Sequence, residues 1–183
     1  MVVFTVGHGR RSLGELTAIL RTATIDRLVD VRRFPGSKRN PQFARESLER
    51  DLPRLGITYD FRGDQLGGRR GASSTGMSRH PAWRVQGFRN YADYMDTPEF
   101  AEAVDELETE VRAGLRLCLM CAETLWWRCH RRLIADALVM RGTEVVHLLG
   151  PDERVPHQLH EAARPDERNL PVYDSGFTGH LPL

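Results

Sequence analysis

The stretch "VVFTVGHGRRSLGELTAIL", residues 2–20, decides the fold class. Residues 2–6 form a short apolar, β-branched run ended by the turn "GHGR", the pattern of a buried strand followed by a change of direction. Ser12 then stands three residues before Glu15. At that spacing a hydroxyl caps a helical amide and a carboxylate reaches back to the cap's own N–H. Leu13, Leu16, Ile19 and Leu20 share one helical face, so a helix is predicted over about residues 12–22. A strand is thus followed at once by a capped helix.

The alternation continues along the chain. "RLVDVR" (27–32), "ITYDF" (57–61), "LRLCLMC" (115–121) and "EVVHLLG" (144–150) read as four further strands. Asn40 before Pro41 is an N-cap and first-position pair, predicting a helix over about 41–54 that breaks near Pro53. Two helices flank Thr97-Pro98, and "RRLIADALVMRG" (131–142) is another, with Leu133, Ile134, Ala137 and Leu138 inward and Gly142 at its end. The expected fold is α/β: a single domain with a mostly parallel sheet of about five strands and helices on both faces. Residues 62–87 are the longest irregular stretch, of the kind used for lids and binding loops, and beyond Gly150 no element is predicted.

The totals exclude several classes. A chain of 183 residues suits one domain, and 40% hydrophobic with 28% charged residues is a globular composition. No run approaches the roughly 18 apolar residues of a membrane span. The N-terminus has neither a basic leader nor a small-residue cleavage site, so it reads as the first strand and a cytoplasmic location is expected. The odd, clustered set Cys118, Cys121 and Cys129 points to reduced thiols rather than a disulfide framework. Net charge +1 argues against a polybasic coat for nucleic acid, although 25 of the 26 basic residues are arginine, Lys38 being the exception.

In a parallel sheet, ligands bind beyond the carboxyl ends of the strands. Those ends carry His8, then Asp30 and Arg32, then Arg62, then Cys121 and Glu123, with His147 late in the fifth strand. The densest stretch is "CAETLWWRCH", residues 121–130. Cys118 and Cys121 lie three apart on a strand and face opposite sides, which makes Cys118 a core residue. A zinc site from Cys121, Cys129 and His130 is the minority reading, because adjacent residues seldom ligate one ion together, and no metal is expected. The stronger reading starts a helix near Arg128 or Cys129, which puts its free amides, Arg128, His130 and Arg131 beside the Cys129 sulfur and favours the thiolate. Glu123 is either a general base or nucleophile, or the partner of Arg131 or Arg32 in an ion pair.

Other residues follow the same logic. One tryptophan of the Trp126-Trp127 pair fills the core, while Trp127 stacks substrate. His8 sits between glycines that admit close approach of a ligand, and Asp30 with Arg32 and Arg33 is a candidate contact. "GDQLGGRRG" offers Gly67, Gly68 and Arg69 as an anion cradle, without the spacings of the common nucleotide loops. His80, His157, His160 and His180 are expected to face solvent.

The ordered motifs "TVGHGRRSLGEL", "LVDVRRFPGSKRNPQF", "LGGRR", "YADYMDTPEF", "LMCAETLWWRCHRRLIADAL" and "VVHLLG" together resemble the family of domain of unknown function 488. The resemblance covers roughly residues 4–164, giving a domain over 1–164 and a C-terminal tail over 165–183. It implies an α/β fold whose shared residues fall on His8, Asp30, Arg32, Asn40, Gly67, Gly68, Cys121, Glu123, Cys129, His130 and Arg131, and it implies no activity. The residues themselves suggest an enzyme acting on a nucleotide-like small molecule or nucleic acid, with the glycosidic bond of a modified or damaged base as the first target. Glu123, Cys129 and His130 would be catalytic. His8, Asp30, Arg32, Arg33, Asn40, Gly67, Gly68, Arg69, Cys121, Trp127 and Arg131 would bind substrate. No cofactor and no membrane partner is expected. The alternatives are a thiol- or metal-dependent enzyme using Cys121, Cys129 and His130, and a non-catalytic binding module.

Overall fold

The computed structural model describes residues 1–36, 39–72 and 76–174, so Lys38 and His180 lie outside the described residues. Ser12 caps as its spacing requires: the Glu15 amide donates to Ser12 Oγ at 3.2 Å, and the Ser12 amide donates to Glu15 Oε2 at 2.7 Å. This starts helix α1 (Leu13–Thr22) a few residues after strand β1 (Val2–Gly7). Strands β2 (Arg27–Asp30), β3 (Thr58–Phe61), β4 (Leu117–Cys121) and β5 (Glu144–Leu148) join β1 in a parallel sheet. A sixth strand, β6 (Arg154–Pro156), adds antiparallel to β5, and the order across the sheet is β3-β2-β4-β1-β5-β6.

Helices cover both faces. On one side α1 and α2 (Arg45–Asp51) bury Leu16, Leu20 and Leu48 against Phe4, Leu28, Cys118 and Met120. On the other, α4 (Gln86–Met95), α5 (Pro98–Arg112) and α6 (Arg131–Met140) bury Tyr91, Leu107 and Leu133 against Val3, Val29, Leu117, Leu119 and Cys121. The alternation along β4 separates the two cysteines: Cys118 belongs to one core and Cys121 to the other. A short helix, α3 (Gly63–Leu66), occupies the start of the stretch read as irregular.

The chain leaves adjacent strands β1 and β4 in opposite directions, since α1 packs on one face and α6 on the other. The crevice between their carboxyl ends is the switch point at which open α/β sheets bind ligands. Pairing runs on past the strands there, with His8 N donating to Cys121 O at 2.9 Å and Gly9 N to Ala122 O at 3.0 Å. Gly7 is required at this place, because a Cβ on it would fall 1.9 Å from the Glu123 carbonyl oxygen.

Two expectations are corrected. The helix predicted over 41–54 is a 3-10 turn at Pro41–Phe43, then α2, then a second turn at Pro53–Leu55. Ala44 is extended (φ −61°, ψ 147°), and the Phe43 carbonyl accepts from Arg32 at 2.8 Å instead of serving a helix. The stretch beyond Gly150 is not featureless either. Besides β6 it holds the antiparallel pair β7 (Ala163–Pro165) and β8 (Pro171–Tyr173), and Leu170, Val172 and Tyr173 are buried. Three-residue strands are too short to show a period in the sequence.

Candidate functional site

The end of β2 builds a rigid cation. Asp30, fully buried, accepts from Arg32 Nε at 2.8 Å, from Arg32 Nη2 at 2.5 Å and from the Tyr59 hydroxyl at 2.8 Å. Arg32 Nη1 donates to His8 Nε2 at 3.2 Å. An arginine can only donate, so this His8 nitrogen is bare, and His8 Nδ1 carries the proton that it gives to the Gly9 carbonyl at 3.0 Å. Burial, then the Arg32 charge, pull the His8 pKa down to about 4. His8 is therefore a neutral ring, stacked on Phe43 at 4.3 Å, that orients Arg32. Among the described residues four of the five guanidinium N–H groups have a partner within the protein, the fifth lying on Nη1.

Beyond β4 the chain turns back on itself, and Cys121, Cys129 and His130 converge. His130 Nδ1 lies 3.6 Å from Cys129 Sγ and 3.9 Å from Cys121 Sγ, and the three atoms are all within 4.8 Å of one another. The Cys121 thiol is held well up, first by its hydrogen bond to Cys129 and then by burial. For Cys129 burial pushes up, but the hydrogen bond from Cys121 and the neighbouring His130 and Arg131 outweigh it and bring the thiol well below its ordinary range. The helix contributes less than its predicted start implied, because α6 begins at Arg131 with His130 as its N-cap, not at Arg128 or Cys129.

These groups open on a trough. Two adjoining hollows of about 760 and 740 Å³ share Arg32, Phe34, Gly36, Arg69, Ala122 and Glu123. His8, Arg10 and Asn40 line one side, while Arg33, Gly68, Arg128, Cys121, Cys129 and His130 line the other. Five arginines thus face a cavity with one carboxylate, Glu123. Among the described residues no carboxylate pairs with Arg10, Arg33, Arg69 or Arg128.

The family model for domain of unknown function DUF488 matches residues 12–138, well over half the chain. The chain belongs to the DUF488 family. No curated protein and no solved structure gives a match. The matched segment of this DUF488 chain runs from the cap of α1 into α6, and so contains the Cys121, Glu123, Cys129 and His130 loop together with Asp30, Arg32 and Arg69.

Some of the residues predicted to bind substrate stand elsewhere in the DUF488 fold. Asp30 is sealed under Arg32, and Gly67 packs against Arg33, where a Cβ would come within 2.8 Å of the arginine's own Cβ. Trp127 is exposed and lines neither hollow, while Trp126 stacks on His147 at 4.2 Å. Arg62 turns aside to Asp60 and Glu110. Arg131 is buried and does not pair with the Glu123 carboxylate: its Nη2 donates to the Glu123 carbonyl and its Nη1 to Thr5 Oγ1 at 3.1 Å. The Glu123 carboxylate accepts instead from the Leu125 amide at 3.2 Å and stays exposed in the trough. Phe34, 65% exposed at the junction of the two hollows, was not singled out, and its signal was an aromatic ring inside the arginine-rich turn "RRFPG".

The histidines expected in solvent are also corrected. His80 is fully buried against Asp96, and His160 packs on Trp83 at 4.6 Å. His157 belongs to a buried chain. Thr5 Oγ1 meets His147 Nδ1 at 2.7 Å, His147 Nε2 meets His157 Nδ1 at 2.9 Å, and His157 Nε2 meets Asp136 Oδ1 at 2.8 Å. The Tyr173 hydroxyl donates to Asp136 Oδ2 at 2.9 Å. These partners lie far apart in sequence, so no local pattern announces them.

Proposed function

We propose that this DUF488 domain is an enzyme acting on a nucleotide unit, held by its phosphate in the arginine-lined trough and processed at the edge formed by Glu123, Cys129 and His130. The observation that carries the reading is the charge of the lining, five arginines against one carboxylate at the switch point of the sheet. Phe34 supports a nucleotide over a simple anion. Its ring is exposed beside those arginines, with the Arg33 guanidinium 5.8 Å from its centre, and an exposed ring in a cationic groove is the usual platform for a base. Glu123 is the group for the bond-breaking step, as base or nucleophile at the glycosidic carbon of a modified base.

The test has two parts. A labelled, 5′-phosphorylated single-stranded oligonucleotide is titrated by fluorescence anisotropy. Phe34→Ala and Arg69→Ala should each weaken binding about 10-fold, the scale of one lost stacking or phosphate contact, without lowering the thermal midpoint. Release of free base from oligonucleotides with modified bases is then followed by chromatography, and Glu123→Gln should abolish it. Unchanged binding in both variants would refute the substrate class, and unchanged release in Glu123→Gln would refute the mechanism.

A further inference from the structure

We propose that Cys121 Sγ, Cys129 Sγ and His130 Nδ1 form a zinc site whose fourth position faces the trough. The inference stands on the geometry of three side chains and not on the substrate reading, so the two can fail separately.

The spacing fits the ion. Zinc–sulfur bonds of about 2.3 Å and zinc–nitrogen bonds of about 2.0–2.1 Å in a tetrahedron separate sulfur from nitrogen by about 3.6 Å. The structure places Nδ1 at 3.6 Å from one sulfur and 3.9 Å from the other. The ring is also turned the right way. His130 Nε2 lies 3.0 Å from the Val31 carbonyl, which can only accept, so Nε2 holds a proton and Nδ1 is the nitrogen turned toward both sulfurs, where a metal ion would replace any hydrogen it carries. A backbone carbonyl on the far nitrogen is how metal-binding histidines are commonly oriented. Here that carbonyl is itself anchored, because Val31 N donates to Met120 O at 3.0 Å.

Two features of the chain make room. Cys129 is extended (φ −127°, ψ 149°) and His130 helical (φ −57°, ψ −18°). The change of backbone between them lets neighbouring side chains meet one point, the circumstance in which adjacent residues can share an ion. Gly68 leaves the space beside the ring, since a Cβ on it would fall 2.9 Å from His130 Nδ1. The three residues line the trough with Glu123, so the protein supplies three ligands and the cavity the fourth, the arrangement of reactive rather than structural zinc. Water on such an ion loses a proton near pH 7, and Glu123, the one carboxylate among the described lining residues, shares the hollow with the three ligands.

The full chain, purified under reducing conditions without chelator, should carry about one zinc by elemental mass spectrometry. After chelator removes it, cobalt chloride should produce a thiolate-to-cobalt charge-transfer band that saturates at about one equivalent, and bound zinc should slow alkylation of Cys121 and Cys129. Cys129→Ser and His130→Gln should lose the band, with folding checked by circular dichroism. Cys118→Ser, on the opposite face of β4, should keep it, and Gly68→Ala should weaken cobalt binding about 10-fold. The alkylation result needs no variant and so does not depend on one folding. Substoichiometric metal with no cobalt band in the reduced wild type would overturn the proposal, as would a band that survives Cys129→Ser. Nucleotide binding without metal would sink the zinc site alone, and metal without nucleotide binding would sink the substrate class alone.

Discussion

Lowering the pH from 7 to 5 should cost the fold about 2 kcal/mol through His147 alone. The ring is fully buried between Thr5 Oγ1 and His157 Nδ1, and burial, then the neighbouring His157 and Arg131, pull its pKa down to about 3. In the unfolded chain a histidine titrates near 6.5. Between about pH 6.5 and 3 the unfolded state therefore holds a proton that the folded state refuses, and stability falls as pH falls through that window. At pH 5 the gap from 6.5 is about 1.5 units, worth about 1.4 kcal/mol each. Urea unfolding of wild type and His147→Gln at both pH values isolates the effect, because every other titrating group is common to the two proteins. The wild type should lose about 2 kcal/mol more than the variant on acidification. Equal losses would show that His147 is not held neutral by its surroundings.

Two further substitutions probe the same corner. Gly7→Ala would drive a methyl group to 1.9 Å from the Glu123 carbonyl oxygen, a backbone atom that cannot swing away, so a loss of about 3 kcal/mol or more is expected in urea unfolding. Arg131→Met should cost about 3 kcal/mol in the same assay, since it removes charge-assisted bonds to the Glu123 carbonyl and to Thr5 while keeping the buried volume.

The fold was legible because its elements announce themselves locally. The Ser12–Glu15 cap, the Thr97-Pro98 break and the β-branched runs each name their own structure within a few residues. The site was half legible, for the reason that strand ends are predictable and side-chain directions are not. His8, Arg32, Cys121 and Glu123 reach the trough because they end strands that lie side by side. Trp127 and Arg131 also follow β4, but in a loop and a helix whose rotation no period fixes, and one turns to solvent while the other turns inward. The short strands near the C-terminus gave no signal because three residues cannot show alternation.

The buried histidine chain explains why that late segment matters to the loop. An arginine can only donate and a carboxylate only accept, so with neutral rings every hydrogen between Arg131 and Asp136 must point the same way. Arg131 gives to Thr5, Thr5 to His147, His147 to His157, and His157 to Asp136. Shifting either ring alone to its other tautomer sets two donors or two acceptors against each other, which is costly where no water can repair it. The far end is closed by Tyr173 on β8, and the near end holds the Glu123 carbonyl through Arg131. Glu123 is therefore placed by residues from β1, β5 and β8 as much as by its own loop. The family match ends at residue 138, before three of those partners, His147, His157 and Tyr173, are reached. The Glu123 loop and the C-terminal strands are thus one hydrogen-bonded unit, and a change that loosens Tyr173 from Asp136 acts on the position of Glu123.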